Sequence, residues 1–339
     1  QLTVVAVPAQ IYAITGSSAY VGLTGLFGLV PLVVFGLWGG ALADSMDRRI
    51  LLLASTGGLI GTSALFWLLA VTRADNVWML LSVFSLQQAC FAVNQPTRTA
   101  ILPRLLPDHQ LPAANALNMT VMSAGAIAGP LVGGVLIPVL GYAWLYLVDT
   151  VSLLATLWAV IMLPALPVEG AGPGAPGLRS VVEGLAYLGR HPVLMMSFVV
   201  DLIAMVFGMP RALFPQIAHE DFGGPAAGGL AFALLFAAIP AGAVLGGVFG
   251  GWVSRVDRIG LAVLWCVAGW GAAVTVFGVA VGLAPLAPSL LLAVAVAALV
   301  AGGATDMASA AFRQSILLAA ADDAVRGRLQ GIFIVVVVG

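Results

Sequence analysis

Three aspartates stand inside otherwise apolar runs, Asp149, Asp201 and Asp306, and the chemistry open to them is reversible protonation or contact with a polar cargo. An ionisable group within a bilayer costs about 2.5 to 3.5 kcal/mol on insertion scales and commonly marks a pathway or relay. Asp201, about ten residues into its run at helical spacing, is the best placed to titrate, whereas Asp149 lies nearer a run's end. The plain alternative for each is a carboxyl satisfied by a neighbouring helix. Gln87 and Gln88, with Asn94 and Gln95, add amide groups to a fourth run, either to line a cavity or to bond across helices. A second kind of chemistry is offered by Gly40, Asp44, Arg48 and Arg49 in the stretch GALADSMDRR. A carboxylate at a helix end is held by arginines or by the positive end of another helix, and such a contact can break and reform. The alternative is a solvated loop that only fixes topology. No nucleophile stands beside a base, and a phosphate-binding loop would need a lysine that the chain does not have. The three histidines show no ligand spacing and the two cysteines, Cys90 and Cys266, read as buried free thiols. These patterns predict no catalytic site, no metal and no cofactor.

The elements that carry these residues follow from composition. With 61% apolar and 8% charged residues over 339 positions and a mean hydropathy of +1.10, the chain is an all-α membrane protein. Its apolar blocks have the length that a helix needs to cross about 30 Å of hydrocarbon. We place spans at 1–14 (partial), 19–43, 49–72, 77–97, 113–138, 143–163, 192–217, 227–252, 258–282 and 287–312, with an eleventh beginning near Arg326 and cut short. A polar hinge from Arg98 to His109 separates the fourth and fifth. Residues 164–190, opening on a Pro/Gly-rich stretch, form a central cytoplasmic linker between an N-terminal bundle (1–163) and a C-terminal bundle (191–339). All 13 basic residues are arginines. Eleven fall on the side of Arg48, and only Arg73 and Arg211 on the other, so the Arg48 side is cytoplasmic by the positive-inside rule. The basic residues form no tract, and nucleic acid is not a predicted partner.

The two bundles repeat each other. Gly36, Gly40, Asp47 and Arg48 return as Gly246, Gly250, Asp257 and Arg258, and Arg98, Ile101, Leu102 and Asp108 return as Arg313, Ile316, Leu317 and Asp323. Both matches join equivalent loops on one side, as in parallel six-helix repeats. Asp44 is matched by Ser254 and belongs to one copy alone.

GALADSMDRR resembles the loop signature of the major facilitator superfamily between its second and third helices. More closely, VAVPAQIYAITGSS, LFPQIA (213–218), AAIPAGA (237–243) and RGRLQG (326–331) resemble the enterobactin (siderophore) exporter branch of that superfamily, EntS-like. The resemblance implies the major facilitator fold, with the chain truncated within the first helix and in helix 11. It also implies a monomeric, multi-pass carrier of the bacterial inner membrane that exports a siderophore-like molecule by alternating access. Asp44 is then a latch toward residues near Arg326. Gly125, Gly129, Pro130 and Gly133, followed by Gly134, resemble the superfamily's helix-5 antiporter motif, which favours export over uptake, and the resemblance implies that protons drive it; the bland reading is small-residue packing. The fourth span departs from the drug antiporters, having Ser85, Gln88 and Ala89 where they place a buried Arg, then Gln and Gly. The other functions left open are a macrolide or multidrug efflux carrier, and a transport-inactive sensor or scaffold.

Overall fold

A computed structural model describes residues 2–164, 195–196, 199–200, 202–204, 208–256 and 258–320. The backbone of the described residues is helical, with helices α1 (Leu2–Thr15), α2 (Ser18–Ser45), α3 (Arg48–Val71), α4 (Val77–Leu105) and α5 (Leu111–Ile161) in the N-terminal set. The C-terminal set contains α6 (Leu230–Val248), α7 (Ile259–Gly282) and α8 (Pro288–Ala320). Seven of these helices are long and apolar enough to cross a membrane.

Sequence explains where the helices start and stop. The Asp47 carboxylate accepts the Arg49 amide at 2.8 Å and caps α3, satisfying one of the amides that a helix start leaves open. Asn76 does the same for α4 through the amides of Trp78 and Met79. α5 carries the fifth and sixth spans as two arms that reverse direction at Gly141, whose φ of 77° lies in the region that favours glycine.

Three expectations are corrected. The hinge at Arg98–His109 is helical as far as Leu105, because Thr97 and Thr99 turn their hydroxyls back onto backbone carbonyls and leave the helix ladder intact. The tenth span continues through Arg313 to Ala320. The end of the seventh span is not a plain helix. It passes through 3-10 geometry at Pro210–Leu213, one α turn at Phe214–Gln216 and a π turn at Ile217–Asp221. Prolines 210 and 215 remove two amides from the ladder there. Arg211, within the expected seventh span, stands in the 3-10 part of this stretch. The linker beyond 164, Asp201, Asp257 and the eleventh span lie outside the described residues.

Packing is tightest within each set. In the C-terminal set, a Cβ on Gly242 would collide with the Val300 carbonyl, and one on Gly246 would stand 2.7 Å from the Ala304 carbonyl, so α6 and α8 run backbone to backbone. In the N-terminal set Phe66 stacks on Tyr146 at 5.1 Å. A core of Val5, Ala9, Ile137, Phe214, Phe232 and Phe236 joins the two sets.

Candidate transport pathway and gates

Among the described residues, the polar contacts between the two sets gather at the arginine-poor end. The Tyr12 hydroxyl on α1 donates to Glu220 Oε1 at 2.7 Å, and the Ser18 hydroxyl at the start of α2 donates to Gln216 Oε1 at 2.6 Å. Gln216 in turn donates through Nε2 to Glu220 Oε2 at 3.0 Å, which locks both acceptors in place. The rings of Tyr12 and His219 meet edge to face at 6.4 Å, and His219 Nδ1 is held 2.7 Å from the Gly224 carbonyl. Beside this network the Gly229 amide donates to the Gly134 carbonyl at 2.8 Å, a backbone bond from the start of α6 to the first arm of α5. A Cβ on Gly134 would stand 2.9 Å from Ala233 Cα, so only glycine permits this approach.

Toward the arginine-rich end the same two helices stop making buried contacts. In α5 no residue before Pro130 is buried, and in α6 none after Gly242. Leu117 and Met119 of α5 are 66% and 62% exposed, and Val248 and Phe249 at the end of α6 are 72% and 71% exposed. Among the described residues, the bonds that join the two sets thus lie at the arginine-poor end.

The helix-5 motif splits accordingly. Gly133 faces Leu2 of α1, its absent Cβ 3.3 Å from Leu2 Cδ2, and buried Pro130 begins the packed part of the arm. Gly125 and Gly129 lie in the half-buried stretch before it. Gly134, the last glycine of the motif, makes the inter-set contact.

Asp149 is satisfied within the N-terminal set. Its Oδ2 accepts the Thr3 hydroxyl at 2.8 Å and the Ser63 hydroxyl at 2.5 Å, joining α1 and α3 to the second arm of α5. One turn earlier, the Tyr146 hydroxyl donates to Gln10 Oε1 at 2.8 Å in full burial. On α4, Gln87 is buried and Gln88 half-buried below Gly28 of α2. Asn94 bonds across to Ser55 and Thr56 at 3.0 and 3.1 Å, and Gln95 to the Met122 sulfur at 3.8 Å.

At the arginine-rich end, Arg49 donates through Nη2 to the Ile161 carbonyl at 2.7 Å, tying the start of α3 to the end of α5. Arg48 opens α3, while Gly40 and Asp44 belong to the last turns of α2, with the Asp44 side chain outside the described part. The repeat diverges here, because Arg98 is exposed and donates to Asn118 Oδ1 at 3.2 Å whereas Arg313 is buried. Asp306 is half-buried on α8. Two cavities, of about 620 and 580 Å³, open between α6, α7 and α8, and the first is lined by Trp265, Cys266 and Thr305. Cys266 is buried, but Cys90 is only half-buried against α3, so the expectation of two buried thiols holds for one.

Sequence reading gave no role to Tyr12, Ser18, Gln216 or Glu220. Gln216 and Glu220 are four apart and share a helix face, which is the one local signal available.

The Glu220 carboxyl is held below the 4.5 ordinary for glutamate, first by the Gln216 amide and then by the Tyr12 hydroxyl, both donating to its charged form. A depressed value means that the closed arrangement gains stability above the ordinary carboxylate range and loses it as pH falls through the lowered value. Thiol labelling of a cysteine placed at Ala9 should therefore stay slow at neutral pH and rise only in acid. Glu220→Gln, with the weaker neutral acceptor, should label faster than wild type at neutral pH and lose the acid-dependent rise. Labelling that ignores both pH and the substitution would contradict a role for Glu220 in closure.

With this geometry in place, the comparisons with known proteins fix the family. The profile of the Major Facilitator Superfamily matches residues 1–338, and the chain belongs to that superfamily. It is therefore a membrane transporter and not an enzyme. Among curated proteins it is similar to the "Enterobactin exporter EntS" of Escherichia coli O1:K1 / APEC, 28% identical over 334 residues, covering 97% of this chain and 76% of the relative. Among solved structures it is similar to a mutant of nucleoside transporter NupG, with a TM-score of 0.77 at 10% identity over 99% of this chain and 83% of that one. It is also similar to a D-xylose-proton symporter, with a TM-score of 0.69 at 13% identity over 99% of this chain and 84% of that one. The two structural likenesses carry the fold alone. The major facilitator fold expected from sequence is the observed one.

Proposed function

We propose that this transporter exports a siderophore-like small molecule across a bacterial cytoplasmic membrane by alternating access, in exchange for protons. The observation that carries the reading is the similarity to enterobactin exporters over 97% of the chain. The bonds at the arginine-poor end support it: with the arginine-rich end cytoplasmic, Tyr12, Ser18, Gln216 and Glu220 would shut the far side in one state of an alternating cycle. Asp44, Arg48, Arg49 and Gly40 take the latch role in the opposite state. Asp201 is the group assigned to proton exchange, and Asp306, Gln87 and Gln88 the polar groups assigned to the pathway. Asp149, fully engaged by two hydroxyls, is reassigned to holding α1 and α3 against α5. The carrier works as a monomer and needs no cofactor.

Deletion of the gene tests the reading. Loss of siderophore from the medium with unaltered drug resistance is the expected result. Heightened macrolide sensitivity with normal siderophore release would move the assignment to drug efflux, and no change in either would point to a sensor or scaffold.

A further inference from the structure

Arg211 is a charged residue in a broken, otherwise apolar stretch. It stands in the 3-10 stretch Pro210–Leu213, ten residues before the end of the π turn at Asp221, with Ala212, Leu213 and Phe214 following it. By helical rise that places it about 15 Å in from the loop. It is nevertheless an exposed residue, whereas Arg313 on α8 is 4% exposed. The residues around it pack against other helices, Gly208 against α7 and Ala212 against α2, so this exposed residue stands within the bundle.

Its surroundings have the features of a binding position. Met209, with φ −93° and ψ 107°, has left the helical region, and the chain resumes in three different helical geometries. Irregular backbone at membrane depth is tolerated where it is buried in protein or lines a cavity, and broken helices of this kind form the sites of many carriers. One residue on, Ala212 abuts Gly22 of α2, whose absent Cβ would stand 4.0 Å away, so the stretch sits where the two helix sets meet. One turn back, Gly208 meets the Trp270 indole of α7, which also packs against Gly302 of α8. The carboxylate of Asp306, one turn further along α8 than Gly302, interacts electrostatically with Arg211. The Tyr12–Glu220 closure lies further along the same span, toward the arginine-poor end.

We infer that Arg211 is the cargo-binding cation of this transporter and takes a planar anionic group, a carboxylate or an acidic phenolate, on an otherwise apolar molecule. Asp306 is the resident counter-charge with which that anion competes. A guanidinium presents a rigid fork of donors that fits such groups in bidentate fashion, and an interior of low dielectric strengthens the contact. Placement on the seventh span, beside α2 and below the closure, lets one bound group be felt by both helix sets. This deepens the proposed export function by naming the charge class of the cargo and rests on that reading for the direction of transport alone.

The test uses the full chain in nanodiscs of neutral lipid, with empty nanodiscs as the blank. The probes are 3-hydroxy-2-naphthoate, a fluorescent planar anion, and ethidium, a planar cation. Naphthoate should bind wild type saturably, and Arg211→Gln should weaken it by about tenfold or more, the scale of a lost charge-assisted pair. Arg211→Lys, which keeps the charge but not the fork, should fall between them. Asp306→Asn should tighten naphthoate binding, and ethidium should not respond to Arg211→Gln. Naphthoate binding equal in wild type and Arg211→Gln, or ethidium preferred over naphthoate, overturns the proposal. Weaker binding in Asp306→Asn overturns the counter-charge. Thermal melting of each variant, with Arg211→Lys as the conservative form, separates lost binding from lost fold. If naphthoate binds as described while gene deletion leaves siderophore release intact, the export reading fails and the anion site stands.

Discussion

Gly134→Val should hold the carrier away from the closed arrangement of its arginine-poor end and reduce transport by at least about tenfold. The Cβ alone would stand 2.8 Å from Ala233 Cβ and 2.9 Å from Ala233 Cα, and valine adds two methyl groups beyond it. Backbone atoms cannot step aside as a flexible side chain would. Overpacking of this kind costs about 1–3 kcal/mol, and about 1.4 kcal/mol shifts a two-state equilibrium tenfold. The cost falls on one state only, because the contact joins helices of different sets and is released when they part. The internal control is Gly242→Val, whose Cβ would collide with the Val300 carbonyl inside the C-terminal set. That contact persists in both states, so the substitution should lower the melting temperature and yield without favouring either end. Labelling of a cysteine at Ala9, with Cys90 and Cys266 replaced by serine, reads the difference. Faster labelling in Gly134→Val than in wild type is expected, and equal labelling with normal transport would contradict it.

Asp149→Ala is the second large effect, and it is an effect on stability. The substitution strands the hydroxyls of Thr3 and Ser63, which are 2% and 0% exposed. A buried donor left without its acceptor costs about 1–3 kcal/mol, so the melting temperature should fall by several degrees. Asp149→Asn keeps an acceptor oxygen and should fall by much less. A proton relay at this position predicts the reverse pattern, with Asp149→Asn melting like wild type but unable to transport. The two substitutions together therefore separate the structural role from the alternative.

The fold was legible because a bilayer forces it. Apolar length sets the spans, arginine distribution sorts their ends, and Asp47, read as part of the shared scaffold, is an N-cap in the structure. Local rules failed where proline and threonine acted against each other. Thr97 and Thr99 kept α4 helical through a polar stretch, while Pro210 and Pro215 disordered the geometry of an apolar one. The closure was not legible. Tyr12 and Glu220 stand 208 positions apart, and nothing in either neighbourhood announces the other. The glycine motif was legible as packing, but which glycine crosses between the sets depends on where α6 begins, and Gly228 and Gly229, both at positive φ, set that. Aspartates drew notice because charge in an apolar run is costly, yet Asp149 meets its cost with two hydroxyls from distant helices.

The central claim is that the two helix sets close one end while opening the other. Spin-label pairs at Ala19 with Phe222 and at Leu117 with Val248 report the two ends of the reconstituted carrier. Distances by electron–electron double resonance, taken in wild type and in Gly134→Val, should change in opposite directions: the first pair lengthens while the second shortens. Two pairs that stay fixed, or that lengthen together, would contradict the account.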